Sequence, residues 1–135
     1  PIRQLAAVAR AESSAGEPLA MVGLIKPSLH FYSQSTVLFE GRSPHALVNL
    51  ADRLRTESRP GLRPSSADRQ PTLLLVIDSV TASKRHWRNI EGQQLAQAGP
   101  YRLWRLDRLW LEKRARLLQN EGMNPSWRRP RPEMF

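Results

Sequence analysis

The chain has 135 residues, 40% of them hydrophobic, no cysteine, and a formal net charge of +9. That length is a prior for one domain, able to bury roughly two thirds of the surface its unfolded chain exposes. The missing cysteine excludes a disulfide framework and a thiolate metal site; His30, His45 and His86 lack HxxxH or HxH spacing, which argues against a metal centre, and the longest apolar run, Leu73 to Ile77, is far short of the roughly 20 residues that span a bilayer.

In chain order, Ile2 to Ala11 reads as a helix, because Ile2, Leu5, Ala6 and Ala9 fall on one stripe. The breaker SSAGEP follows, then LAMVG, a short apolar run of buried-strand type. Pro27 suits the first position of a short helix, its fixed φ matching that place, with SLHFYS following as one or two turns. TVLFE is rich in β-favouring residues and reads as a second strand. Ser43-Pro44 opens a helix with Leu47, Leu50, Ala51 and Leu54 on its apolar stripe and Arg53, Arg55 and Glu57 toward water. SRPGLRPSSADRQP has three prolines and no periodicity, and reads as a surface loop.

TLLLVID is the clearest strand, and its unbroken run suits a central position covered on both faces. Ser79 to Trp87 is expected to be helical. QQLAQAGPYRLWRL reads as a hairpin about Gly99-Pro100, with Leu95, Tyr101, Leu103 and Leu106 on alternate pleats. Asp107 can cap a helix, RLWLEKRARLLQN, closed by Gly122, with Trp110, Leu111, Leu117 and Leu118 sharing one side. The alternation of helix and strand predicts an α/β three-layer sandwich with a mostly parallel sheet and an antiparallel C-terminal hairpin. The expected division is a single α/β domain over 1–122 and an extended, basic, proline-rich tail over 123–135.

The charge is uneven. Residues 1–60 carry +2, residues 61–83 carry 0, and residues 84–135 carry +7. Such a surface attracts anions: nucleic acid, lipid headgroups or phosphorylated substrates. Arginine outnumbers lysine eighteen to three, and its planar fork suits phosphate, although high-GC coding gives the same bias. Lys26 and Ser28 stand where an anion meets a helix start, a position equally filled by ordinary turn chemistry. Asp78 ends an apolar strand as a Walker-B acid does, but no GxxxxGK[ST] loop accompanies it, so a cap for the next helix is the better reading. There is no GxSxG elbow, and Glu40, Asp52, Asp68, Asp78 and Asp107 are scattered singly. No catalytic residue is assigned. On the last helix Arg108, Lys113, Arg114 and Arg116 surround the polar sides, the pattern of a helix lying on an anionic surface or of a packed helix with a solvated face. Trp87 and Trp127 stand beside arginines, which suits base stacking, a membrane interface, or plain partial burial.

The block PLAMVGLIKPSLHFYSQSTVLF, preceded by PIRQLAAVAR, resembles the start of the soluble C-terminal domain of bacterial membrane glycosyltransferases. The group in question is the aminoarabinose-transferase and dolichyl-phosphate-mannose protein mannosyltransferase-like one. Gly23, Lys26, Pro27, Ser28, Leu29, Phe31 and Tyr32 carry the likeness, and AGPYRLWRL resembles the late hairpin of that domain. The resemblance covers roughly residues 1–58 and 72–106; nothing in the 58–71 loop or the tail is matched. It implies transmembrane helices ahead of Pro1, a polyprenyl-phosphate sugar donor, and a catalytic acid in an early extracytoplasmic loop outside this chain. The beginning at Pro1 rather than Met fits a fragment. The domain would then lie on the periplasmic side of the inner membrane, partnered by its own N-terminal transmembrane region and by the membrane surface or a lipid-linked sugar.

On this reading Lys26, Ser28 and Tyr32 are candidates for binding substrate or anion. Arg108, Lys113, Arg116, Trp127, Arg128 and Arg129 are candidates for facing the membrane or phosphate. No cofactor or metal is expected in the fragment itself. The rival readings are a basic nucleic-acid-binding protein, supported by charge but by no recognition motif, and a free-standing α/β interaction module.

Overall fold

The computed structural model describes residues 1–56 and 71–126. Helix α1 (Ile2–Glu12) leads to strand β1 (Leu19–Val22), the short helix α2 (Ser28–Ser33), β2 (Val37–Glu40) and α3 (Pro44–Thr56). Strand β3 (Thr72–Asp78) runs into a single turn, α4 (Ser79–Ala82), and a 3-10 turn at Arg85–Trp87. The hairpin β4 (Gly92–Ala98) and β5 (Tyr101–Asp107) follows, then α5 (Arg108–Asn120).

The strands form one sheet in the order β2-β1-β3-β5-β4. β2, β1 and β3 are parallel, with Leu19 facing Val37 on one side and Leu74 on the other. β5 is antiparallel to both β3 and β4. The α/β architecture expected from the sequence is therefore present. The antiparallel portion is wider than an edge, because β5 takes the place beside β3 and makes up the second half of the sheet.

Alternation along the strands feeds two cores. Ala20, Val22, Leu73, Leu75, Ile77 and Leu106 point to one face, where α3 and α5 cover them. Leu19, Met21, Leu74, Val76, Tyr101 and Leu103 point to the other, where α1 and α2 pack. β3 has layers on both sides, which is why its apolar run is unbroken. The stripes of α1 and α3 are buried as their spacing predicts.

Three local expectations need correction. Ser79 to Trp87 is not one helix. Lys84 is extended (ψ 148°), so the chain breaks after α4 and turns Trp87 into the core at 1% exposure. Leu117 is exposed, and the buried side of α5 is Trp110, Leu111, Ala115 and Leu118. Arg53 does not simply face water: its Nη1 donates to Glu40 Oε2 at 3.0 Å and to the Phe39 carbonyl. Pro27 has helical φ and ψ (−57°, −22°) and leads directly into Ser28–Ser33, as the sequence suggests.

Candidate functional site

The connections leaving the carboxyl ends of the parallel strands meet around Asp78. Its side chain caps α4 by accepting from the Thr81 amide at 3.1 Å, as the sequence suggests, and takes the Thr81 hydroxyl at 2.7 Å. It also reaches across to β1 and accepts from the Leu24 amide at 2.9 Å. Burial alone would raise the pKa of this carboxyl, but these donors outweigh it and hold the pKa below its ordinary value. The Tyr101 hydroxyl donates to the Leu24 carbonyl at 3.1 Å, and burial beside Asp78 raises the phenol pKa. Asp78 and Tyr101 thus grip both polar groups of Leu24. Between them lies Gly23 at φ +91°, whose missing side chain leaves the space that Asp78 and Thr81 fill. Both Asp78 oxygens are thus engaged in holding the β1–α2 connection to α4.

What this network presents outward is mixed. Leu24, Ile25 and Val80 are exposed large apolar residues on the β1 and β3 connections. Beside them in the chain are Lys26 on the first connection and Lys84 and Arg85 on the second, all exposed. Pro1 reaches the same edge, since a methyl group on Gly99 in the β4–β5 turn would lie 3.2 Å from Pro1 Cγ.

A cleft of about 590 Å³ opens at this edge, between the Arg85–Asn89 segment, the start of α3 at Pro44, and the last turns of α5. Arg85, Arg88 and Arg114 line it. Arg114 lies over the Trp110 ring at 4.7 Å and donates to the His86 carbonyl at 2.9 Å. Trp110 stacks in turn on Trp87 at 6.0 Å between centroids. His86 is 7% exposed, and its Nε2 donates to the Arg42 carbonyl at 2.9 Å. Burial lowers the His86 pKa; Lys84 and Arg114 lower it further, against the opposing effect of the Arg42 carbonyl.

The residues singled out by sequence are dispersed. Lys26 is exposed on the β1–α2 connection, and its amide lies 3.3 Å from Met21 Sδ. Ser28 is exposed at the first position of α2, where no side chain caps the helix. Tyr32 turns toward α1, with the Arg3 guanidinium 4.9 Å over its ring. Arg108 is partly buried and donates to the Leu54 carbonyl, and its desolvation lowers the guanidinium pKa. Lys113 and Arg116 are exposed on α5. Trp110 is 7% exposed and closed inside the core, so it does not reach a headgroup layer. Trp127, Arg128 and Arg129, and most of the 58–71 loop, lie outside the described residues. Among the described residues no cluster of three or more His, Asp or Glu side chains is placed to hold a metal ion, and no helix is long and apolar enough to cross a membrane.

Sequence reasoning passed over the Arg85–Arg88–Arg114 cleft. Its three arginines come from two segments 26 residues apart, and only the broken helix after β3 brings them together. Residues 12–122, from the end of α1 through α5, match the family described as the C-terminal domain of cyanobacterial RgtA-type glycosyltransferases. No curated protein and no solved structure matches the chain.

Proposed function

The chain belongs to the family of C-terminal domains of cyanobacterial RgtA-type glycosyltransferases, and we propose that it is the extracytoplasmic domain of a multi-pass inner-membrane enzyme. In that enzyme a sugar passes from a polyprenyl-phosphate donor to a lipid, glycan or protein acceptor. The finer kinship is with the aminoarabinose-transferase and mannosyltransferase-like group. The catalytic acid belongs to the membrane-embedded part, and this domain lies against the bilayer on the periplasmic side.

The observation that carries the reading is the carboxyl edge of the sheet. Exposed Leu24, Ile25 and Val80 stand there among Lys26, Lys84 and Arg85. Apolar side chains for the acyl boundary, flanked by cations for phosphate headgroups, are the chemistry of a surface that lies on anionic lipid. A nucleic-acid groove would call for stacking aromatics beside the cations. Here Trp87 and Trp110, the tryptophans beside Arg85, Arg88 and Arg114, are buried against each other.

The test is co-sedimentation of the chain with vesicles, with and without anionic lipid, across a salt series. Binding should require anionic lipid and fade above physiological salt, where the Debye length falls below about 8 Å. Lys26→Gln and Lys84→Gln should each weaken it by about fivefold, near 1 kcal/mol per surface cation. Binding indifferent to lipid charge, or tight preference for one nucleic-acid sequence, overturns the reading.

A further inference from the structure

We infer that the cleft lined by Arg85, Arg88 and Arg114 is a binding site for a phosphate ester, with an apolar wall at Leu117 and Met123 for a chain attached to that phosphate. The inference deepens the reading above and rests on it only for the source of the ligand.

Three guanidinium groups border one concavity, and among the described residues none has an ion-pair partner. Arg53, Arg55 and Arg105 pair with carboxylates elsewhere in the fold; other described arginines also lack an ion pair, but here three of them share one lining. Clustered like charges repel. A fold that gathers three of them without acids to match leaves a local field suited to a multiply charged anion. Among the described residues that line the cleft, Glu121 is the one carboxylate against three arginines. The field is felt by a neighbour: Lys84 and Arg114 both act to keep His86 neutral, adding to the effect of its burial.

The arginines differ in how they are held. Arg114 is fixed by the Trp110 ring and the His86 carbonyl, which leaves its remaining N–H groups pre-oriented at low entropic cost. Arg85 and Arg88 are exposed, the first opening the 3-10 turn and the second directly following it, free to close on a ligand. Asn89 at φ +62° turns the chain directly after Arg88. The far wall is apolar: Leu117 is 58% exposed, and Leu118 and Met123 continue it. An inorganic ion needs no such wall, whereas a phosphate carried on a hydrocarbon chain does. Guanidinium forks match phosphate oxygens bidentately, and each such bond is charge-assisted.

The experiment is an amide-shift NMR titration of the chain in vesicle-free buffer at fixed ionic strength, with three probes: sodium sulfate, inorganic pyrophosphate, and monomeric farnesyl phosphate. The expected result is saturable shifts centred on residues 85–89 and 114–123 for both phosphates, with sulfate much weaker. Arg85→Gln and Arg88→Gln lie on the exposed rim and should fold normally, and each should weaken binding about tenfold, the loss of one charge-assisted contact. Farnesyl phosphate binding more tightly than pyrophosphate supports a lipid-borne phosphate; equal binding overturns the apolar wall and leaves a free phosphate as the ligand. Shifts spread over every cationic patch, or wild-type affinity in both variants, overturn the inference. Vesicle binding is scored separately, so a failure here leaves the membrane reading standing, and the reverse also holds.

Discussion

Gly23→Ala tests the centre of the carboxyl edge. Gly23 adopts φ +91°, where an L side chain costs about 1–2 kcal/mol. An added Cβ would also lie 2.1 Å from Asp78 Oδ1 and 2.2 Å from Thr81 Oγ1. Neither atom can swing clear without loss, because Asp78 is bonded to the Leu24 amide and to both donors of Thr81. Displacing the carboxylate forfeits at least one charge-assisted bond, worth about 1.5–3 kcal/mol, and leaves a buried charge short of donors. The sum is about 2.5–5 kcal/mol, a large share of the roughly 5–15 kcal/mol typical of a domain. Gly122→Ala is the control: its φ is +97°, but no atom lies within 4 Å of the added methyl, so only the backbone cost of about 1–2 kcal/mol applies. Urea unfolding followed by tryptophan fluorescence measures both. Equal losses in the two variants would refute the argument, since the backbone term is common and the Asp78 network is not.

Stability should fall with acid in two windows. Folding depresses the His86 pKa below its ordinary 6.5, so the unfolded chain takes up that proton first and stability declines as pH drops below about 6.5. Glu17 and Asp78 are held below 4.5 and 3.8, so their contribution is complete above those values and is lost as pH falls through the lower folded-state values. Melting temperatures between pH 8 and 3 should show both steps, and a flat profile from pH 7 to 5 would count against the first. Glu17→Gln should cost about 2 kcal/mol in the same urea assay, because the fully buried carboxylate accepts from Thr72 and pairs with Arg105 at 3.0 Å; a loss under about 0.5 kcal/mol would contradict that. The chain has no cysteine, so Val80→Cys and Leu109→Cys can each carry a single environment-sensitive dye. On anionic vesicles the Val80 label should shift to the blue and the Leu109 label should not; equal shifts would mean the wrong edge has been assigned.

The parts of the fold that were legible in the sequence are those governed by periodicity. The stripes of α1 and α3, the two-faced run of β3 and the turn at Gly99-Pro100 each follow from local spacing. Asp78 as a cap was legible too, because a strand-ending acid before a helix has few other uses. Its bond to Leu24 was not, because that contact spans 54 residues. The ion pair of Arg105 with Glu17 spans 88 and is set by sheet order, which no local pattern encodes. The helix break at Ser83-Lys84 was hidden for a different reason. Its residues tolerate a helix, and burial of Trp87 against Trp110 is what ends it. That break also builds the arginine cleft, so the site and the misread element have one cause.

Pro1 lies at one end of the sheet. It packs beside Gly99, at the turn where β4 passes into β5. Tyr101, two residues on, pairs with Asp78 at the end of β3, so Pro1 lies at the same end of the sheet as Leu24, Val80 and Arg85. Leu109 follows Asp107, which pairs with Thr72 at the start of β3. The two ends are six residues apart along β3, roughly 20 Å at about 3.4 Å per residue. That exceeds two Debye lengths at physiological salt, so a membrane felt strongly at one end is screened at the other. If the carboxyl edge faces a bilayer as proposed, its cleft arginines come within a few ångströms of lipid phosphates, while Leu109 stays beyond the screened distance.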